Sequence, residues 1–225
     1  VVAGNVTLSQ VRTLSEKWFG PIPSGKKMTR KLAQEPVQKE KRILNVEADV
    51  PANAFYKTFH MPGRFHEDFY AIDLMGDILS RGHSSRMYQQ LVKEKEVFTS
   101  ISSFSMGTID PGLLVVSGRI REGIELEKAE AEVDDLLSKF VREGARPEEL
   151  EKVKNQAEAT LEFDKVEVMN RAMNLAFADL SGDADLVNKE GDKIKKVSLT
   201  DIKRVAEDIL QEKNSSVMFY RSRSN

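Results

Sequence analysis

Residues 68–79 carry Phe69, Ile72, Leu74, Met75, Ile78 and Leu79. At 100° per residue these side chains spread beyond a single stripe, so a helix here cannot lie on a surface and must be covered by a sheet. Two strand patterns stand just before it. "RILNVEADV" (residues 42–50) alternates, and "NAFYKTFHM" (residues 53–61) follows Pro51. After it, residues 84–95 place Met87, Tyr88 and Leu91 on one helical face, and residues 98–106 are β-like but rich in serine. "DPG" (residues 110–112) signals a turn, and the unbroken apolar start of "LLVVSGRI" predicts a central strand.

The rest of the chain reads as helices closed by one strand. Leu126, Ala129, Val133, Leu136, Leu137 and Phe140 form a helical stripe that Gly144 ends. "RPEEL" opens the next helix, with Pro147 in its first turn and Glu148 and Glu149 where they suit the helix dipole. Leu150, Val153, Ala157 and Leu161 begin its buried face, which Val166, Met169, Met173 and Phe177 are expected to continue. "SGDAD" breaks that run. Ser198 and Asp201 start a last long helix through a capping box, and "NSSVMFYRS" ends the pattern as a strand. Paired strands with adjacent runs of helices predict an α+β fold: an antiparallel-rich sheet with helices packed on one face.

The first residues form a separate unit. "VVAG" reads as the end of a strand, Thr7 and Gln10 fit a capping box, and Leu8, Val11, Leu14 and Trp18 recur at helical spacing until "FGPIP". Such a strand-helix piece is too small to bury Trp18 by itself. The expected division is therefore 1–23 as the closing strand-helix of an upstream domain, 24–41 as a basic linker, and 42–225 as a second α+β domain. The opening "VVAGNV", without a leader-like pattern, suggests a fragment of a longer chain.

Composition excludes more than it assigns. A net charge of -2 gives no global attraction to nucleic acid, and the basic stretch 26–41 lacks interleaved aromatics and amphipathicity. No apolar run approaches the roughly 20 residues that cross a bilayer, so no membrane insertion is expected. With zero cysteines there are neither disulfides nor thiolate metal sites, which suits a soluble protein of cytoplasm or periplasm.

Three histidines, His60, His66 and His83, are the only imidazoles. "HEDFY" starts like the zinc helix His-Glu-x-x-His, but Tyr70 stands where the second ligand must be, so His66 reads as a helix start. Ser84 and Ser85 adjoin His83, yet "GHSS" lacks the spacing of a nucleophile elbow; capping explains the serines better than catalysis. No catalytic residue and no metal ligand is assigned.

The order of motifs resembles a known family. "AIDLMGDILSRGHSSRMYQQLVKEKEVFTSISSF" is similar to the second domain of the pitrilysin and insulinase metallopeptidases, which include the mitochondrial processing peptidase. "VVAGNVTLSQVRTLSEKWFGPIP", "GARPEELEKVKNQ" and "VSLTDIKRVAEDIL" look like further parts of that pattern. The resemblance implies a parent about twice as long, with zinc held in the first domain by His-x-x-Glu-His and a later Glu, whose motif Glu acts as general base. It also implies that an Arg and, seven residues on, a Tyr help hold the substrate in the second domain. Those positions fall here on Val92 and Thr99, neither of which can replace the expected group, and Glu96 stands where Gly is usual.

The expected function is thus the carboxyl-terminal part of a zinc metalloendopeptidase acting on unstructured peptides. This half would form a chamber wall, with zinc in the parent and none here. The alternative is a non-catalytic peptidase-like subunit of a heteromeric protease. A homo- or hetero-dimer with a related subunit is the expected assembly, and peptide the expected partner.

Overall fold

The structure is a computed structural model that describes residues 1–26, 33 and 35–223. Residues 27–32 and 34, within the basic linker expected from the sequence, lie outside the described residues. The chain forms two compact units, Val1–Val37 with Glu158–Asp192, and Gln38–Ala157 with Lys193–Asn225.

The larger unit is built on a five-stranded sheet of β1 (Arg42–Ala48), β2 (Ala54–Met61), β3 (Phe98–Ser105), β4 (Gly112–Ile120) and β5 (Ser215–Ser222), in the order β1-β5-β2-β4-β3. The pairs β2–β4, β2–β5 and β3–β4 are antiparallel; β1 lies parallel to β5. Strand alternation sends Phe55, Phe59 and Met61 of β2 to one side, together with Leu114, Val116 and Ile120 of β4 and Val217 and Phe219 of β5. Phe55 anchors this face, with Phe98 edge-on at 6.1 Å between ring centres and Phe219 tilted at 6.5 Å. Gly118 makes the first contact possible: a Cβ there would sit 2.7 Å from the Phe98 ring.

Within the larger unit, helices cover that face. α2 (Phe69–Ser80) buries Phe69, Ile72, Leu74, Met75, Ile78 and Leu79, as its apolar spread requires. α3 (Leu126–Glu143) buries the whole predicted stripe from Leu126 to Phe140 and stops where Gly144 turns to φ 76°. Burial of each such side chain is worth about 1.5–3 kcal/mol. α4 (Pro147–Asp164) follows, and α7 (Leu199–Ile209) buries Ile202, Val205, Ala206 and Ile209 behind the Ser198–Asp201 capping box. The α+β architecture, with an antiparallel-rich sheet backed on one face, is the one the sequence pattern predicts.

Two polar devices complete the layer. Lys57, only 2% exposed on the buried face of β2, is neutralised by Asp134 and by Glu130 at 3.4 Å, both on α3; Lys41 also reaches Glu130. On the edge strand β3, Ser80 at the end of α2 accepts from the Ser103 N–H (2.7 Å) and donates to the Ser103 carbonyl (2.9 Å). That hydroxyl occupies backbone groups that would otherwise invite another strand.

The smaller unit differs from expectation. α1 (Leu8–Trp18) forms with its Thr7–Gln10 capping box, but none of its residues is buried. Val1 and Val2 are exposed and not in a strand; a strand needs a neighbour to take its backbone bonds, and none is present among the described residues. The expected continuation of the α4 face is overturned as well. The chain turns at residues 165–167, and the separate helix α5 (Val168–Leu180) leaves Met169, Met173 and Phe177 exposed, as it does Val166 before it. α6 (Leu186–Lys196) follows "SGDAD". Among the described residues no helix is long and apolar enough to cross a membrane.

Candidate functional site

The Gly-His-Ser-Ser-Arg corner after α2 does not assemble a nucleophile. His83 is exposed and stacks on Tyr88, 4.5 Å between ring centres. Ser84 accepts a hydrogen bond from Lys152 (3.1 Å), while the buried Ser85 hydroxyl has no partner among the described residues. Ser85 stands directly before the next helix, which begins at Arg86 and continues as a π-helix over Tyr88–Glu94, and its carbonyl accepts from the Gln89 N–H at 3.0 Å; contrary to the sequence expectation, neither serine hydroxyl caps that helix.

What the corner positions is Arg86. Its guanidinium grips Glu149 at the start of α4 with two bonds, Nε to Oε1 at 2.9 Å and Nη2 to Oε2 at 2.7 Å, and also donates to the Gly144 carbonyl at 2.8 Å. The same cation lies 4.8 Å from the centre of the Phe140 ring. Burial opposes ionisation of Glu149, but Arg86 and the backbone and side chain of Arg146 outweigh it, holding the carboxyl at about 2. Arg86 therefore ties the corner to the α3–α4 turn, a structural task. Sequence reasoning missed this pair: Glu149 already has a local explanation at a helix start, and its partner is 63 residues away.

The histidines are dispersed. His66 lies exposed in the turn before α2, accepting from the Asp68 N–H at 3.2 Å, and His60 sits on β2. Among the described residues no three His, Cys, Asp or Glu side chains could together hold a metal ion. The donor set present here does not fit the zinc that the sequence resemblance implies for the parent.

Val92 falls within the π-helix, half-buried and without a polar side-chain atom. Thr99 is exposed on β3 at a register shift between Phe98 and Ser100, and its hydroxyl donates to the Arg119 carbonyl at 3.2 Å. Between them, Glu96 adopts φ 52°, the left-handed conformation that a glycine takes without penalty.

The sheet face opposite the helices carries different chemistry. Cross-strand register aligns Ser102, Ser117, Tyr56 and Met218 in one row and Ser100, Arg119, Ala54 and Tyr220 in the next. Tyr56 and Phe104 are exposed here. Arg119 is also exposed, and its guanidinium has no ion pair or hydrogen bond among the described residues. A charged residue inside "LLVVSGRI" was the available signal for this face, since an arginine in an interior strand points away from the core unless a carboxylate is buried with it, as happens to Lys57.

A family described as the peptidase M16 inactive domain matches residues 1–157. The zinc protease PqqE of Helicobacter pylori is 23% identical over 228 residues, covering 98% of this chain and 50% of the relative. An uncharacterized zinc protease of Bacillus subtilis, YmxG, is 26% identical over 161 residues, 71% of this chain and 38% of the relative. The crystal structure of a protease from Helicobacter pylori superposes with a TM-score of 0.89 at 22% identity, over 97% of this chain and 54% of that one. The chain thus spans half or less of the length of these curated relatives.

Proposed function

This chain belongs to the family of peptidase M16 inactive domains, and from that premise we propose that it serves a zinc metalloendopeptidase as its non-catalytic carboxyl-terminal half. In this reading residues 1–23 close a preceding domain, 24–41 connect, and 42–225 form the second domain. Zinc and the general base come from outside these residues. The open sheet face, with its row of Ser102, Ser117, Tyr56 and Met218, lines the space that receives an extended, unstructured peptide. Backbone-sized polar groups between apolar ones suit a substrate of varied sequence, which offers the same amides at every residue.

The observation that carries this reading is the family match over 157 of 225 residues; the dispersed histidines agree with it. Metal analysis and a peptide-cleavage assay on the purified chain test it. The expected result is no stoichiometric zinc and no turnover; either one would overturn the assignment.

A second reading is favoured by one local observation. Val92 has no donor, and the Thr99 hydroxyl is engaged by the Arg119 carbonyl, so neither offers the grip on substrate that the resemblance implies. The chain would then belong to a non-catalytic subunit paired with a related, zinc-bearing one. A His-x-x-Glu-His motif encoded upstream in the same gene supports the first reading, and its lack there supports the second.

A further inference from the structure

We infer that Arg119 forms a subsite for an acidic side chain of the bound peptide; this rests on the reading that the open sheet face receives peptide. Three observations lead to it. On the open face of β2, β3, β4 and β5, Arg119 is the one lysine, arginine or carboxylate among the described residues. Its orientation is set by its neighbour: the Cβ direction of Gly118 runs into the buried Phe98 ring, so the Arg119 side chain leaves on the opposite side. Its guanidinium is exposed and unpaired, whereas Arg86 and Arg204 on other elements are each bound to a carboxylate.

The surroundings fit an anionic group. Ala54 lies between Arg119 and Tyr220 in the cross-strand row, and its small side chain leaves a shallow floor between a guanidinium and a phenol. Tyr56 stands one row along on the adjacent strand, and neither phenol has a hydrogen-bond partner among the described residues. A guanidinium fork takes a carboxylate through two parallel bonds, and phenol hydroxyls can donate to the remaining lone pairs. An apolar or lysine side chain would leave the fork unpaired or meet a like charge. The Thr99 hydroxyl, bonded to the Arg119 carbonyl, fixes the backbone from which the guanidinium projects.

The test uses amidated, fluorescently labelled unstructured peptides that differ at one central position, Glu, Gln or Lys, and a Gln peptide with a free carboxyl terminus. Fluorescence anisotropy measures binding to the chain, with circular dichroism checking that Arg119→Gln and Arg119→Glu stay folded. The Glu peptide should bind roughly two- to fivefold tighter than the Gln peptide, as expected for one solvent-accessible charged pair, and the gap should shrink with added salt. Arg119→Gln should erase the gap, and Arg119→Glu should invert it in favour of Lys. A preference for the free carboxyl terminus over the internal Glu would overturn the side-chain assignment. Equal binding of all peptides, or a Glu preference that survives Arg119→Glu, would overturn the inference while leaving the peptide-receiving face intact. Absence of any peptide binding would overturn both.

Discussion

α3 and α5 are both amphipathic, yet they end differently. In α3, Val133, Leu137 and Phe140 recur at helical spacing and are all buried against the sheet. In α5, Met169, Met173 and Phe177 also recur about once per helical turn and remain in solvent, Phe177 at 57% exposure against 0% for Phe140. Periodicity therefore selects which face of a helix can be buried, while burial itself requires a second surface. In the larger unit that surface is the sheet. The stability of the described fold should accordingly concentrate in the larger unit, which gives the contrast its measurable form.

The largest expected effect is at Phe140. Phe140→Ala removes a fully buried ring and the surface on which Arg86 rests, and should lower unfolding free energy by about 3–5 kcal/mol in denaturant titration. Phe177→Ala should change it by no more than about 0.5 kcal/mol, as for other exposed sites. A loss at Phe177 that matches the one at Phe140 would break the comparison.

Next comes the buried pair. Arg86→Ala leaves Glu149 without its main partner and should cost about 3 kcal/mol, the lower end of the range for breaking such pairs. Because Glu149 has a folded-state pKa of about 2, below its ordinary value, its contribution is complete above about pH 5 and is lost as pH falls toward 2. The total is at most about 3 kcal/mol. Denaturation midpoints measured across that window should fall steeply in the wild-type chain and less in Glu149→Gln, whose stability is already reduced at neutral pH.

Smaller effects sharpen the picture within the larger unit. Glu96→Gly relieves a left-handed backbone and should raise stability by about 0.5–1 kcal/mol, offset in part by the loss of the exposed Arg121 contact. Arg204→Ala removes a guanidinium bound to Asp68 at the start of α2, which holds that carboxyl below its usual range. Half the arginine is in solvent, so thermal unfolding should register no more than about 1 kcal/mol.

Much of the fold was legible in advance because its signals are local. Thr7 with Gln10 and Ser198 with Asp201 close their hydrogen bonds within three residues, so capping boxes appear in the chain as they appear in space. Gly144 ends α3 for the same reason. Little of the candidate site was readable in this way. The corner serines suggested caps, and Ser85 does stand directly before the helix, but its hydroxyl makes no capping bond, and the residue that matters there, Arg86, depends on Glu149. Arg119 gains meaning only from strand register, which puts it beside Ala54 and Ser100, with no other lysine, arginine or carboxylate among the described residues on that face of β2, β3, β4 and β5.

The amino-acid sequence by itself determined the order of strands and helices in the larger unit, since propensity, periodicity and caps act over a few residues. It also determined that α2 must be covered, because nothing else can hide a helix apolar on most sides. Only the tertiary structure decided that β5 enters between β1 and β2, that Lys57 is buried against Asp134, and that the α5 stripe is left bare. These outcomes depend on which distant surfaces meet. That choice is made by packing and charge pairing across the whole chain, and no short stretch contains it.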